Sequence, residues 1–175
     1  MLVEQISRIV EVHFPENWRE IVAEHNRRFD ASPDSSLLSD VAQTLLDSNC
    51  NPIPGINELL ETFRERGQIN RIVVASGMPK NVYFAKQALR QDLVDEFTLI
   101  DFDGPKPEYA QRHRIRFVLE DDIQAWRSKR FICVFGLPVV RIFVPQVQDF
   151  RSYTPEVSDA LADATLNIRG KLRVQ

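Results

Sequence analysis

The apolar positions change their period along the chain. Ahead of Cys50, Trp18, Ile21, Val22, His25 and Phe29 fall on one helical stripe, and Leu37, Leu38, Val41, Leu45 and Leu46 fall on a second. This spacing predicts an all-helical segment over residues 1–50, with Pro15 in the first turn of the Trp18 helix. The cluster Ser32-Pro33-Asp34-Ser35-Ser36 supplies a loop and an N-cap before the second stripe. Leu2 to Phe14 suits both periods. Leu2, Ile6, Ile9 and His13 would share a helix face, whereas Arg8 to Phe14 alternates as a strand does.

Past the rigid turn Asn51-Pro52-Ile53-Pro54-Gly55 the pattern becomes α/β. Ile56, Leu59, Leu60 and Phe63 line a helix that stops at Gly67, and Arg71 to Ala75 is a strand buried on both faces. A second helix runs from about Pro79 to Arg90. Phe97–Ile100, Arg116–Leu119, Phe131–Val134 and Val139–Val144 are four further strands. Apolar β-branched runs joined by helical crossovers predict a Rossmann-like, mostly parallel sheet over residues 51–145. In the extension over residues 146–175, Pro155 to about Ile168 forms an amphipathic helix with Val157, Leu161 and Leu166 inward. No internal repeat or low-complexity tract interrupts this plan.

Composition narrows the classes. With 175 residues, 43% hydrophobic and 27% charged, the chain is an ordinary globular one and not disordered or fibrous. A net charge of −3 provides no overall field toward nucleic acid or an anionic membrane, so any polyanion site is local. Two cysteines, Cys50 and Cys133, with no CxxC neighbour exclude a zinc module and favour a reducing, cytoplasmic setting. No run approaches the ~20 apolar residues of a membrane span, so no membrane partner is expected.

In a parallel sheet ligands gather at the carboxyl ends of the strands. Ala75-Ser76-Gly77 offers a hydroxyl and backbone N–H groups at a helix entry, which suits a phosphate as well as a plain N-cap. Asp101-Phe102-Asp103-Gly104-Pro105-Lys106-Pro107 brings a lysine to the same edge, with Asp101 and Asp103 also readable as turn residues. Glu120-Asp121-Asp122 sets carboxylates side by side. Such oxygen donors fit Mg²⁺, or equally cap the helix that follows. Gln111-Arg112-His113-Arg114 is a basic loop, and His25 a boundary histidine.

This order of motifs resembles the haloacid dehalogenase (HAD) superfamily of phosphohydrolases, over about Asn51 to Pro145. Val73 to Gly77 resembles the motif whose Ser or Thr binds the phosphoryl group, and Lys106-Pro107 the motif whose lysine neutralises phosphate and nucleophile. Val118 to Asp121 resembles the acidic motif that holds Mg²⁺, and Gly136-Leu137-Pro138 the last turn. The short interval from Lys106 to Glu120 is similar to the phosphatase half of polynucleotide kinase-phosphatases. Family members open on a strand ending in Asp-x-Asp, the first aspartate attacking phosphorus and the second serving as general acid and base. No Asp-x-Asp precedes Ser76. Glu11 and His13, on a strand Arg8–Phe14 filling the centre of the sheet, are the positional substitutes. Asp101 and Asp103 spell the motif out of order.

The expectation is therefore a phosphate site at Ser76, Gly77 and Lys106 and a weak Mg²⁺ site at Glu120 and Asp121. Hydrolysis is expected to be feeble or absent. The alternatives are an active Mg²⁺-dependent phosphomonoesterase using a displaced carboxylate, a non-catalytic binding module, and a chain whose first strand lies elsewhere or in another chain. The partner classes are a phosphorylated small molecule, a nucleic-acid end, or a protein. The helices between Trp18 and Asp47 would be a small cap over the site or a packing layer.

Overall fold

The computed structural model describes residues 36–100, 109–110, 112–113, 115–121 and 152–173, the strand segments 10–11, 133–134, 137–138 and 140–143, and residue 20. Its strands are β1 (Val10–Glu11), β2 (Ser36–Asp40), β3 (Arg71–Ser76), β4 (Glu96–Leu99), β5 (Phe117–Glu120), β6 (Cys133–Val134), β7 (Leu137–Pro138) and β8 (Val140–Phe143). The helices are α1 (Ile56–Glu65), α2 (Pro79–Ala88) and α3 (Pro155–Arg173). The main sheet has the order β1-β8-β5-β2-β3-β4, parallel throughout except for β1, and β6 and β7 form a separate antiparallel pair. This is the predicted Rossmann-like α/β architecture.

Its centre differs from expectation. The strand between β3 and β5 is Ser36–Asp40, with Leu38 paired to Val73 on one side and to Val118 on the other. The helical reading of Leu37 and Leu38 is thus overturned, and the sheet draws on residues ahead of the Asn51 turn. A central parallel strand is buried on both faces, so it shows no alternation to betray it; all five of its residues are buried. The helical spacing of Val41, Leu45 and Leu46 comes from one turn just beyond the strand, where Thr44, Leu45 and Leu46 N–H groups all donate to the Val41 carbonyl. Gln43 closes this turn at φ 61°.

The expected central strand at Arg8–Phe14 is likewise corrected. Its described part, Val10–Glu11, lies antiparallel on β8 at the sheet's edge, with β8 and β5 between it and β2. His13 lies outside the described residues, as do the residues of the Trp18–Phe29 stripe.

Alternate residues of the strands feed two cores. Leu37, Ile72, Val74, Phe117 and Leu119 pack with Leu59, Leu60 and Phe63 of α1, Ala85 of α2 and Leu161 of α3. Leu38, Val73, Ala75 and Val118 face the other way, against Ile100, Ala110 and Ile115. Polar strand residues are anchored too: the Ser36 hydroxyl accepts from the Arg116 N–H at 3.2 Å. The α1 face, the β3 run, α2 and the inward Leu161 all match the sequence reading, with Val157 half-buried beside it.

Candidate functional site

From β2 the chain moves outward through α1 to β3 and β4, then returns to the other side of β2 as β5. The sheet's direction of winding therefore reverses between β2 and β5, and in open α/β sheets the carboxyl ends at such a switch point are where ligands bind. Asp40 ends β2. Ser39 pairs with Leu119, which sets Asp40 beside Glu120, the last residue of β5; Asp40 itself pairs with Ala75, so Ser76 ends β3 one residue further on.

Carboxylate oxygens of Asp40, Glu120 and Asp121 all lie within 4.8 Å of one another. Asp40 is 8% and Glu120 2% exposed, so water screens these charges poorly. The Asp121 carboxyl is pushed up to about 6, chiefly by burial and then by the charge of Asp40. Three crowded carboxylates ask for a proton or a cation, and an all-oxygen donor set suits Mg²⁺.

Supporting groups hold the acids in place. The Thr44 hydroxyl donates to Asp121 Oδ1 at 3.3 Å. The Tyr153 hydroxyl in turn donates to the Thr44 carbonyl at 2.6 Å, so the residue just ahead of α3 ties down the loop after β2. Burial raises the Tyr153 pKa above its ordinary value, with the charges of Asp121 and Asp40 adding to the effect. The Ser76 hydroxyl accepts from the Met78 N–H at 3.2 Å and from Asn81 Nδ2 at 3.3 Å, which fixes its oxygen and directs its own proton away from both donors. Ser76 thus performs the turn-capping job that sequence allowed it, at the carboxyl end of β3. Gly77 follows, half-buried.

The structure brings Ser76, Gly77, Glu120 and Asp121 to one edge and leaves Glu11 on the outer strand, with two strands between it and β2. Asp101, Asp103, Lys106, Asp122 and His13 lie outside the described residues. His113 of the basic loop stacks on Tyr109 with ring centroids 4.0 Å apart, and its carbonyl accepts from Arg71 at 3.1 Å. Sequence reasoning missed Asp40, Thr44, Asn81 and Tyr153. The sign for Asp40 was present: an apolar pair, Leu37-Leu38, running into Ser39-Asp40 and followed four residues later by Thr44. The expectation of no aspartate at the end of the central strand is corrected: one is there, in the order Asp40-Val41-Ala42, with alanine at the second position.

The fold and edge define a mostly parallel α/β protein with acidic and hydroxyl side chains gathered at its topological switch point. Comparison with known proteins finds no matching family model, no matching curated protein and no matching solved structure. No helix among the described residues is long and apolar enough to cross a membrane.

The charge crowding has a measurable consequence. A carboxyl whose folded-state pKa is raised favours the folded protein at low pH, and that contribution fades as pH rises from 3.8 through about 6. Solvent reaches part of this group, which reduces the effect to roughly 1 kcal/mol. Metal-free protein is expected to resist urea better at pH 5 than at pH 7.5, and the Asp121→Asn variant to lose most of that difference. An undiminished difference in the variant assigns the pH dependence elsewhere.

Proposed function

We propose that the chain is a Mg²⁺-dependent phosphoryl-transfer protein of the HAD type, with Asp40 as its nucleophile. The observation that carries this reading is the convergence of three adjacent strand ends, bearing Ser76, Asp40 and Glu120-Asp121, at the switch point of the sheet. In this reading Asp40 attacks phosphorus, while Ser76, the Gly77 backbone and Lys106 hold the phosphoryl oxygens; the HAD resemblance supplies the role of Lys106. Glu120, Asp121 and Asp40 would hold Mg²⁺, which when bound offsets the charge of the nucleophile and of the phosphate. The setting is assigned to the cytoplasm. A phosphorylated small molecule is the favoured substrate over a nucleic-acid end, given the net charge of −3.

A second reading, a binding module without turnover, is favoured by one residue: Ala42 stands where the family's second aspartate would. Titration calorimetry with Mg²⁺, in the presence and absence of inorganic phosphate, tests what both readings share. Binding heat is expected from the wild type, with phosphate tightening Mg²⁺ binding, and should be largely lost in Asp40→Asn and Asp121→Asn. Heat unchanged in both variants removes the site.

A further inference from the structure

We propose that Asn81 is a positioning residue that locks the Ser76 hydroxyl as a hydrogen-bond donor, so that the end of β3 receives an oxygen that accepts, as an ionised phosphoryl group offers on every side. The inference rests on Ser76 holding a phosphoryl oxygen and adds what prepares it to do so.

A serine hydroxyl has one proton to give and two lone pairs that accept. Left to rotate, it presents either to a ligand, and only the proton attracts an anionic oxygen. Two donors reach the Ser76 oxygen, the Met78 N–H at 3.2 Å and Asn81 Nδ2 at 3.3 Å. Both accepting positions are therefore filled, and the proton is what Ser76 has left to offer. At 4% exposure, water competes poorly for those positions. The Met78 bond is the local turn a serine makes with the backbone two residues on, and it fills one lone pair. Asn81 fills the other.

Helix capping does not ask this of Asn81. It lies in the first turn of α2, three residues after the N-cap Met78, where a polar side chain commonly reaches back to the N-cap N–H. Here that N–H and the Asn81 amide both go to Ser76 Oγ instead. The amide is oriented from its other end as well: the Cys50 thiol donates to Asn81 Oδ1 at 3.9 Å, which leaves Nδ2 to face Ser76. Asn81 is 8% exposed, and an amide so buried is stable there because both its ends have partners. Cys50 belongs to the loop after β2, so that loop and α2 together set the Ser76 proton before a ligand arrives. A donor arranged in advance loses little freedom on binding, and its bond to a charged oxygen is among the stronger ones.

The test measures inorganic phosphate binding with Mg²⁺ by calorimetry for the wild type, Asn81→Ala and Asn81→Asp, each with and without Ser76→Ala, and Mg²⁺ binding alone as a reference. Asn81→Ala frees one lone pair and lets the hydroxyl turn, whereas Asn81→Asp puts an acceptor there and draws the Ser76 proton inward. Phosphate affinity is expected to fall about threefold or more in Asn81→Ala and about tenfold or more in Asn81→Asp. With Ser76 replaced by alanine, the first loss should vanish and the second shrink by about threefold or more, leaving the effect of the added charge. Mg²⁺ affinity without phosphate should stay within about twofold of wild type in Asn81→Ala. The isosteric Asn81→Asp carries the test where truncation loosens the fold. Losses equal in both backgrounds, a parallel fall in Mg²⁺ affinity, or Asn81 variants that bind phosphate normally while Ser76→Ala does not, overturn this inference and leave the phosphate site standing. Phosphate binding that is absent from the wild type, or unchanged in Ser76→Ala, overturns the parent role of Ser76 as well.

Discussion

If Asp40 is the nucleophile proposed above, Asp40→Asn is expected to lower Mg²⁺-dependent turnover of 4-nitrophenyl phosphate by about 10³-fold or more while the protein remains folded. The amide keeps the shape of the carboxylate and removes the charge that the proposed nucleophile needs, so the expected loss is chemical rather than structural. The same change withdraws one of the charges that raise the Asp121 pKa, so Asp121 should titrate closer to its ordinary range near 3.8. Initial-rate kinetics and an NMR titration of the carboxyl carbons read the two effects on one sample. Wild-type turnover in the variant would displace the nucleophile from β2, and the pair Asp101 and Asp103, which spells the family motif out of order, would become the next to test.

Gly55→Ala is expected to destabilise the protein by about 2–4 kcal/mol, read from the midpoint of urea unfolding at an unchanged slope. Gly55 sits at φ 87° ahead of α1, a conformation that costs an alanine free energy by itself. A Cβ there would also overlap the carbonyl oxygen of Tyr153, and both atoms belong to backbone held by the bond from the Tyr153 N–H to the Pro54 carbonyl at 2.8 Å. Relief therefore requires moving Tyr153, whose hydroxyl holds the Thr44 carbonyl. Mg²⁺ affinity should fall with stability although Gly55 touches none of the acids. A variant as stable as the wild type would show that this junction yields freely.

How much of this was legible in the residues depended on whether local pattern and tertiary role agreed. In α1, Leu59, Leu60 and Phe63 have helical spacing because they pack from a helix, and β3 is a β-branched run because both its faces are covered. In β2 the two disagree. Leu37 and Leu38 are good helix formers, and nothing in Ser36–Asp40 alternates, since neither face meets water. The one real turn of helix-like bonding at Val41 lent its period to the residues before it. A central strand with helical spacing hides the aspartate at its end, and leaves Glu11, on the edge strand β1, as the apparent positional substitute. The acids of β5 and the hydroxyl of β3 were found because their strands were. Thr44 and Tyr153 act through long-range contacts, and no spacing rule connects residues so far apart.

The position of β2 also sets when the protein can become competent during its own synthesis. Ser36 and the Arg116 N–H that it accepts are separated by 80 residues. At about 5–20 residues per second, a ribosome delivers that partner on the order of ten seconds after the strand itself. Until then β2 can pair with β3 on one side only, and its other edge presents open hydrogen-bonding groups of a largely apolar strand. The carboxylates of Asp40, Glu120 and Asp121 likewise meet only when β5 docks. The nascent chain therefore passes through an interval in which one edge of its central, buried strand is uncovered, and the event that covers it is the one that assembles the acidic cluster.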